Sequence, residues 1–181
     1  MILVRHGESE WNVLFSRTRI DPDIPDPPLT PEGRRQATRA AESLLQFGVE
    51  RLLVSPYART LETAEIIAGR LAIPIAVEPL VRERAAFSCD VGTPRSRLAS
   101  QWPRLSFDHI DEIWWPAAES ETELEHRCGR FRQQALALAD WPRVAVISHW
   151  GFIRGLTGQG LRNGELLRFD PGAVNHAVAS D

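Results

Sequence analysis

Four polar segments, well separated along the chain, carry the side chains with the most chemical potential. They are Arg5-His6-Gly7, residues 55–59, Arg82-Glu83-Arg84 and Ser148-His149-Trp150. An imidazole can act as a nucleophile near neutral pH, and the planar guanidinium of arginine binds two oxygens of an anion at once. A glutamate can supply a proton to a leaving group. Together these residue types indicate chemistry on an anionic substrate.

Each polar segment follows a short apolar run that predicts a buried strand. These runs cover residues 2–4, 52–54, 75–77 and 144–147. Longer amphipathic stretches lie between these runs and predict helices. Strands that alternate with helices favour a mainly parallel sheet covered on both faces. Ligands bind outside the carboxyl ends of the strands in such sheets. We therefore expect the four polar segments to converge at one edge of the sheet.

Helix-start signals support this alternation. Thr30 can cap a helix that has Pro31 in its first position and ends before Gly48. A second helix is expected from about Pro56, and Ser120 with Glu123 forms a capping box before a third. A shorter helix is expected after residues 93–94.

Four sequence motifs occur in a fixed order: RHGESEWN, LTPEGRRQA, SPYARTLETA and SHWGFIRGL. Together they resemble the histidine phosphatase superfamily, also called the phosphoglycerate-mutase-like family, over about residues 1–160. The resemblance implies an α/β fold, a three-layer α/β/α sandwich with a mixed, mostly parallel central sheet. We expect residues 1–181 to form a single domain of this kind.

The resemblance also implies roles for individual residues. His6 would attack phosphorus and become a transient phosphohistidine that water later hydrolyses. Arg5, Arg59 and His149 would surround the phosphoryl group, and Asn12 would either donate a further hydrogen bond or cap a helix. Positive neighbours disfavour the imidazolium form, so we expect the arginine beside His6 to keep its ring uncharged.

Two further positions are predicted to contact substrate. Gly7 would let the backbone approach the phosphate closely, where a side chain would obstruct it. Trp150 stands where members of the family often have glycine, and its ring would narrow the pocket or stack on substrate.

The resemblance places the proton donor on Glu83. Asp90 and Glu8 are alternatives, and Glu83 could instead be an exposed partner of a neighbouring arginine. Nearby arginines are expected to lower the pKa of Glu83 in the empty site, whereas a bound phosphate dianion would raise it.

Residues 85–118 depart from the family pattern, and the substrate preference is expected to lie there. The aromatic run IWWP at residues 113–116 could form a substrate-facing wall or a small satellite core. Arg95 and Arg97 could bind a second anionic group, or they could lie on a solvated helix face.

Composition excludes several other classes. A net charge of −3 argues against broad binding to nucleic acid or anionic membranes. Cys89 and Cys128 fit no metal-ligand spacing, and His109, His126 and His176 match no motif. We therefore expect a cytoplasmic protein without metal or cofactor. Its oligomeric state is not encoded in any recognisable pattern.

The expected function is a metal-independent phosphomonoesterase that acts on a small phosphorylated metabolite. A phosphoglycerate mutase and a protein phosphohistidine phosphatase are alternatives within the same resemblance. A phosphate-binding module without catalysis is the alternative of another class, although such modules usually lose the nucleophile or a phosphate-binding residue.

Overall fold

The computed structural model describes residues 1–173 of the chain. Five strands lie within them: β1 Ile2–Arg5, β2 Arg51–Val54, β3 Ile75–Val77, β4 Val144–Ser148 and β5 Leu166–Arg168. The α-helices of the same part are α1 Glu10–Thr18, α2 Pro31–Leu44, α3 Ala58–Leu71, α4 Arg95–Gln101, α5 Glu121–Ala137 and α6 Trp150–Thr157.

The strands form one sheet in the order β3-β2-β4-β1-β5. The first four are parallel to one another, and β5 runs antiparallel to β1. Arg5 is in register with Ser148, and Ile147 is in register with Val54, so β1, β2 and β4 end at the same edge. The mixed, mostly parallel α/β sheet is confirmed. Strand β5 was not predicted, because three residues are too few to show a period-2 pattern.

Two apolar clusters lie on opposite faces of this sheet. Ile2 and Val4 point toward α2 and α3, whereas Leu3 points toward α5 and α6. Successive strand residues face opposite sides, so one strand contributes to both clusters. Burying each large apolar side chain stabilises the fold by about 1.5–3 kcal/mol. The result is the expected three-layer α/β/α arrangement.

The helices predicted from capping signals are present. Thr30 Oγ1 accepts a hydrogen bond from Gly33 N at 3.0 Å at the start of α2. The 3₁₀ turn after α2 ends at Gly48, whose φ is +61°. Ser120 and Glu123 form the predicted capping box at the start of α5. No helix within residues 1–173 is both long and apolar enough to cross a membrane.

Two helices beside the expected site were not predicted. Helix α1 begins after Ser9, whose Oγ accepts from Asn12 N at 3.4 Å while Asn12 Oδ1 accepts from Ser9 N at 3.0 Å. Helix α6 begins directly after His149. A capping pair with asparagine in the third helical position was the available signal for α1.

The divergent segment at residues 85–118 contributes several side chains to the core, among them Leu98, Phe107, Ile110 and Trp114. Trp114 is buried and packs edge-on against Tyr57 with ring centroids 4.6 Å apart. Trp114 Nε1 donates to the Thr93 carbonyl at 2.9 Å. Of the two interpretations of IWWP, the structure supports the core, because this segment covers the α3 side of the sheet.

Candidate active site

A cavity of about 590 Å³ opens at the carboxyl ends of β1 and β4. A volume of this size is typical of small-molecule sites. The site residues predicted from the sequence that line it are Arg5, His6, Asn12, Arg59, Glu83 and Trp150. Gly7 and His149 adjoin the cavity through contacts with these residues. The structure thus brings together segments that are far apart in the sequence.

His6 is buried at the end of β1 with one ring nitrogen fixed. Its Nδ1 lies 2.6 Å from the Gly7 carbonyl oxygen, which can only accept, so Nδ1 carries the proton. The other nitrogen, Nε2, has no hydrogen-bond partner within residues 1–173 and keeps its lone pair. Burial, and then the charges of Arg59 and Arg5, hold the pKa of His6 well below its usual value. The ring is therefore uncharged at neutral pH, with burial and Arg59 contributing more than Arg5.

Arg59 extends from the first turn of α3 and is only 3% exposed. Its Nη1 donates to the Cys89 carbonyl at 2.8 Å, and its Nη2 donates to Asp90 Oδ1 at 3.2 Å. The guanidinium also lies 4.4 Å from the centre of the Tyr57 ring. These contacts fix the plane of the guanidinium and leave further N–H groups for an anion in the cavity.

Arg5 contributes a second cation from the end of β1. Its Nη1 donates to the Leu161 carbonyl at 2.8 Å, and its Nε is buried without a hydrogen-bond partner in the described part of the chain. Burial lowers the pKa of Arg5, but a guanidinium keeps its proton in proteins. An unpartnered buried donor is costly, and an anion bound in the cavity would supply an acceptor.

His149 lies between the strand edge and α6. Its Nε2 is 2.7 Å from Ser55 Oγ, whereas its buried Nδ1 has no partner within residues 1–173. Its ring centroid lies 5.1 Å from that of His6. Burial, followed by Arg59, holds the pKa of His149 well below the usual value. Ser55, interpreted from the sequence as a turn residue, therefore also orients His149.

Glu83 follows the third strand and lies against the start of α6. Its carboxylate accepts hydrogen bonds from the backbone N–H groups of Gly151 at 3.1 Å, Phe152 at 3.0 Å and Arg84 at 2.8 Å. A Cβ on Gly151 would overlap this carboxylate, so glycine is needed there for the close approach. The Glu83 side chain is thus held by backbone groups rather than by an arginine.

The direction of the Glu83 pKa differs from the prediction. Burial and the neighbouring charge of Asp90 raise the pKa of Glu83, and they outweigh the lowering by Arg59 and the backbone hydrogen bonds. The prediction considered the arginines but not the cost of burying the carboxylate. Even the empty site therefore favours the protonated form of Glu83 more than water does.

The two alternative proton donors have other contacts. Asp90 Oδ2 accepts from the N–H groups of Ala86 and Phe87 at 3.1 and 3.0 Å, while its Oδ1 binds Arg59. Glu8 Oε1 accepts from Thr30 Oγ1 at 2.8 Å, and Glu8 is not part of the cavity wall. Glu83 and Asp90 both line the cavity, but the Asp90 carboxylate is paired with Arg59, whereas Glu83 has no ion pair within residues 1–173.

A buried ion pair on the α5 side of the sheet fixes the segment that carries Glu83. Arg127 of α5 is 1% exposed and donates to the carbonyls of Leu80 and Arg82 at 2.8 and 2.7 Å. It also pairs with the buried carboxylate of Glu119, which accepts a further hydrogen bond from Arg82 Nη2 at 2.8 Å. Sequence analysis missed both residues, because nothing local marks them as partners.

Asn12, Gly7 and Trp150 have distinct environments. Asn12 Oδ1 accepts from Ser9 N and from Asn163 Nδ2, which leaves its own Nδ2 without a partner within residues 1–173. Asn12 is therefore a helix-capping residue that still has a free donor.

Gly7 donates its N–H to Thr63 Oγ1 at 3.1 Å, and a Cβ on it would overlap the Gly33 carbonyl. The absent side chain is thus explained by packing against α2. Trp150 is 44% exposed on the cavity wall.

The remaining titratable candidates do not converge on a site. Cys89 lines the cavity, but burial raises the pKa of its thiol. His109 Nε2 lies 2.9 Å from the Val77 carbonyl, His126 is exposed, and His176 lies outside the described residues. Within residues 1–173, no three His, Cys, Asp or Glu side chains are grouped in a way that could hold a metal ion.

Comparisons with known proteins agree with this fold and show the family of the chain. The chain matches the model of the histidine phosphatase superfamily (branch 1) over residues 1–179. It is 35% identical over 154 residues to a protein named probable phosphoglycerate mutase GpmB from Proteus mirabilis (strain HI4320), covering 81% of this chain and 67% of that one. The chain belongs to the histidine phosphatase superfamily, whose enzymes transfer or hydrolyse phosphoryl groups.

Solved structures share the fold. A protein described as mycobacterial hydrolase 1 superposes with a TM-score of 0.66 at 20% identity, covering 96% of this chain and 91% of that one. A mycobacterial glucosyl-3-phosphoglycerate phosphatase in complex with VO3 superposes with a TM-score of 0.65 at 21% identity, covering 92% of this chain and 88% of that one. At this level of identity the likeness establishes the architecture.

Proposed function

We propose that the protein is a phosphomonoesterase that hydrolyses a small phosphorylated metabolite through a phosphohistidine on His6. The supporting observation is the fixed tautomer of His6. Its Nδ1 is bound to the Gly7 carbonyl, so the lone pair is on Nε2 of a ring that lines the cavity together with Arg5, Arg59 and Glu83. No step of this mechanism requires a metal or a cofactor.

In the first step Nε2 of His6 attacks phosphorus and the bond to the leaving oxygen breaks. Arg5 and Arg59 stabilise the charge on the phosphoryl oxygens, and a phosphoryl oxygen would give Nδ1 of His149 its missing acceptor. Glu83 passes its proton to the leaving oxygen. The products are an alcohol, a phosphohistidine and the Glu83 carboxylate.

In the second step a water molecule attacks phosphorus and the P–N bond breaks. The Glu83 carboxylate takes a proton from this water, which restores its acid form, and His6 regains its lone pair. Inorganic phosphate then leaves. The raised pKa of Glu83 favours the acid form that the first step needs, because a general acid must carry its proton when substrate binds.

A phosphoglycerate mutase is the second candidate function, supported by the name of the curated relative at 35% identity. A mutase returns the phosphoryl group from the histidine to a second hydroxyl of the substrate instead of to water. Incubation with 3-phosphoglycerate distinguishes the two functions. A phosphatase releases inorganic phosphate, whereas a mutase forms an isomeric phosphate.

The decisive experiment is hydrolysis of 4-nitrophenyl phosphate in the presence of a metal chelator. We expect turnover by the native protein, loss of at least about 1,000-fold in His6→Ala, and an acid-labile phosphoryl group on the native chain after rapid quenching. His126→Ala, on an exposed face of α5, is the matched histidine control. A folded native protein without turnover, or a His6→Ala variant that keeps it, contradicts the proposal. Phosphate binding without turnover would support a non-catalytic module instead.

A further inference from the structure

The outer part of the cavity wall is aromatic. The rings of Trp11 and Phe15, both on α1, stack at 4.3 Å with an interplanar angle of 14°. The Phe87 ring lies 5.2 Å from Trp11 and 5.3 Å from Phe15. All three residues line the cavity, and Phe87 is 45% exposed although it touches two other rings. We call Trp11, Phe15 and Phe87 the aromatic subsite.

Hydrogen bonds connect the two segments that form the aromatic subsite. Trp11 Nε1 donates to Asp21 Oδ1 at 2.9 Å, and Asp21 Oδ2 accepts from Ser88 N at 2.7 Å. Asp21 therefore links α1 to the turn that carries Phe87. The rings are held in position without a ligand, so a group that binds against them pays little ordering cost.

The cavity wall offers few cations for a second anionic group beyond Arg5 and Arg59. Arg84 is engaged by Glu121, and Arg95 pairs with Glu112 outside the cavity wall. Arg19 is the one further cation that lines the cavity within residues 1–173, and its guanidinium lies 5.9 Å from the Phe15 ring at the edge of the subsite. Neither Arg95 nor Arg97 lines the cavity, so of the two interpretations of these residues the structure supports the solvated helix face.

The position of the aromatic subsite relates it to the leaving group. Arg5, His6 and Arg59 line the same cavity as the three rings, and they would bind the phosphoryl group. The rest of a phosphomonoester must then occupy the remaining wall, where the rings lie. Aromatic faces bind flat apolar groups by stacking and by removing apolar surface from water.

From this arrangement we infer that the preferred substrates are phosphomonoesters with an aromatic or bulky apolar leaving group, which binds at the aromatic subsite. The inference rests on the proposed phosphatase activity and specifies its substrate class. A short polar leaving group, such as the glycerate of phosphoglycerate, would leave the rings uncovered.

Benzyl phosphate, ethyl phosphate and 3-phosphoglycerate test this inference, because all three release an unactivated alcohol. We expect kcat/KM for benzyl phosphate to exceed that for each of the other two by about tenfold or more, as burial of one ring against apolar surface predicts. The variants Phe15→Ala and Phe87→Ala should each lower the ratio of benzyl to ethyl phosphate turnover. Ile20→Ala, 71% exposed and outside the cavity wall, is the control and should keep the native ratio.

Binding of non-hydrolysable phosphonates gives a readout that does not depend on turnover. Benzylphosphonate should bind the native protein about tenfold or more tightly than methylphosphonate in calorimetry, and Phe15→Ala should reduce that difference. Equal affinities, or faster turnover of ethyl phosphate or 3-phosphoglycerate, overturn the subsite while the phosphatase proposal stands. Absence of turnover with every ester overturns the phosphatase proposal, and the inferred substrate class with it.

Discussion

At the inner end of the cavity, Arg59 and Glu83 are bound by backbone carbonyls, backbone N–H groups and a buried carboxylate, whereas at the outer end Phe87 and Trp150 remain 45% and 44% exposed. The inner groups come from strand ends, from the first turn of α3 and from the segment that follows β3. The outer rings come from α1, from the turn before α4 and from the surface of α6.

This difference separates two tasks. Stabilising charge on a phosphoryl group requires donors that are fixed before substrate arrives, because reorganisation during the reaction would cost part of the stabilisation. Binding a leaving group requires only a complementary surface. The inner end is therefore sensitive to any substitution, whereas the outer end can change its preference without loss of the chemistry.

The largest expected effect is at the inner cation. Arg59→Met should lower kcat/KM for 4-nitrophenyl phosphate by about 1,000-fold, because it removes donors aimed at the phosphoryl oxygens. Arg19→Met removes a cation from the outer end and should change the same constant by less than about threefold.

Arg59→Met also leaves the buried Asp90 carboxylate unpaired, so folding must be checked by thermal unfolding. Arg59→Lys keeps the charge without the planar fork and should recover only part of the loss. Similar losses in the Arg59 and Arg19 variants would contradict the division between the two ends.

A smaller and more selective effect is expected at Glu83. Glu83→Gln should slow benzyl phosphate by about 100-fold or more, because an alkoxide needs a proton to leave, and should slow 4-nitrophenyl phosphate much less. Steady-state kinetics on both esters measures the ratio. Glu8→Gln is the matched control, since Glu8 faces Thr30 and does not line the cavity. Equal losses on both esters would remove Glu83 from the role of proton donor.

The smallest expected effect concerns how the stability of the fold depends on pH. The pKa values of His6 and His149 are lowered in the fold, so these rings stay neutral while the unfolded chain takes up protons below about pH 6.5. Their contribution to stability is present above that pH and is lost as the pH falls toward the folded pKa. When the pH falls from 7.5 to 5.5, protonation of each of these histidines in the unfolded chain should lower the free energy of unfolding by about 1.4 kcal/mol.

Urea unfolding at the two pH values measures this loss. Between pH 7.5 and 5.5, the free energy of unfolding of the double variant His6→Asn/His149→Asn should fall by about 3 kcal/mol less than that of the native chain, since two titrating groups are removed. His126→Asn, on an exposed face, should follow the native chain. If the double variant keeps the native dependence of the free energy of unfolding on pH, the two buried rings do not cause that dependence.

The sequence predicted the inner end far better than the outer one. Four of the inner residues, Arg5, His6, Arg59 and His149, lie at strand ends or in a first helical turn, and Glu83 follows a short turn after β3. A local motif and the rule for parallel sheets together place them. The wall formed by Trp11, Phe15 and Phe87 was not predicted, because its rings meet only after α1 folds over the turn at residues 85–90. Helix α1 is short, and its helical periodicity is weak.

Two expectations about charge show what sequence reasoning lacked. Nearby arginines were expected to dominate the pKa of Glu83, yet burial outweighs them and raises it. Arg5 was expected to keep His6 uncharged, yet burial and Arg59 contribute more. Sequence order shows which charges are adjacent along the chain, but the depth of a side chain below the surface follows only from tertiary packing.

The attachment of Glu83 to the N–H groups of Gly151 and Phe152 has a consequence for how this enzyme could diversify. The Glu83 carboxylate is oriented by main-chain N–H groups, which every amino acid except proline provides, and it needs only the missing side chain at Gly151. The adjacent position 150 can therefore accept small, large or charged residues while the Glu83 carboxylate keeps its orientation. A new substrate preference could thus be acquired by substitution at position 150 without moving the Glu83 carboxylate.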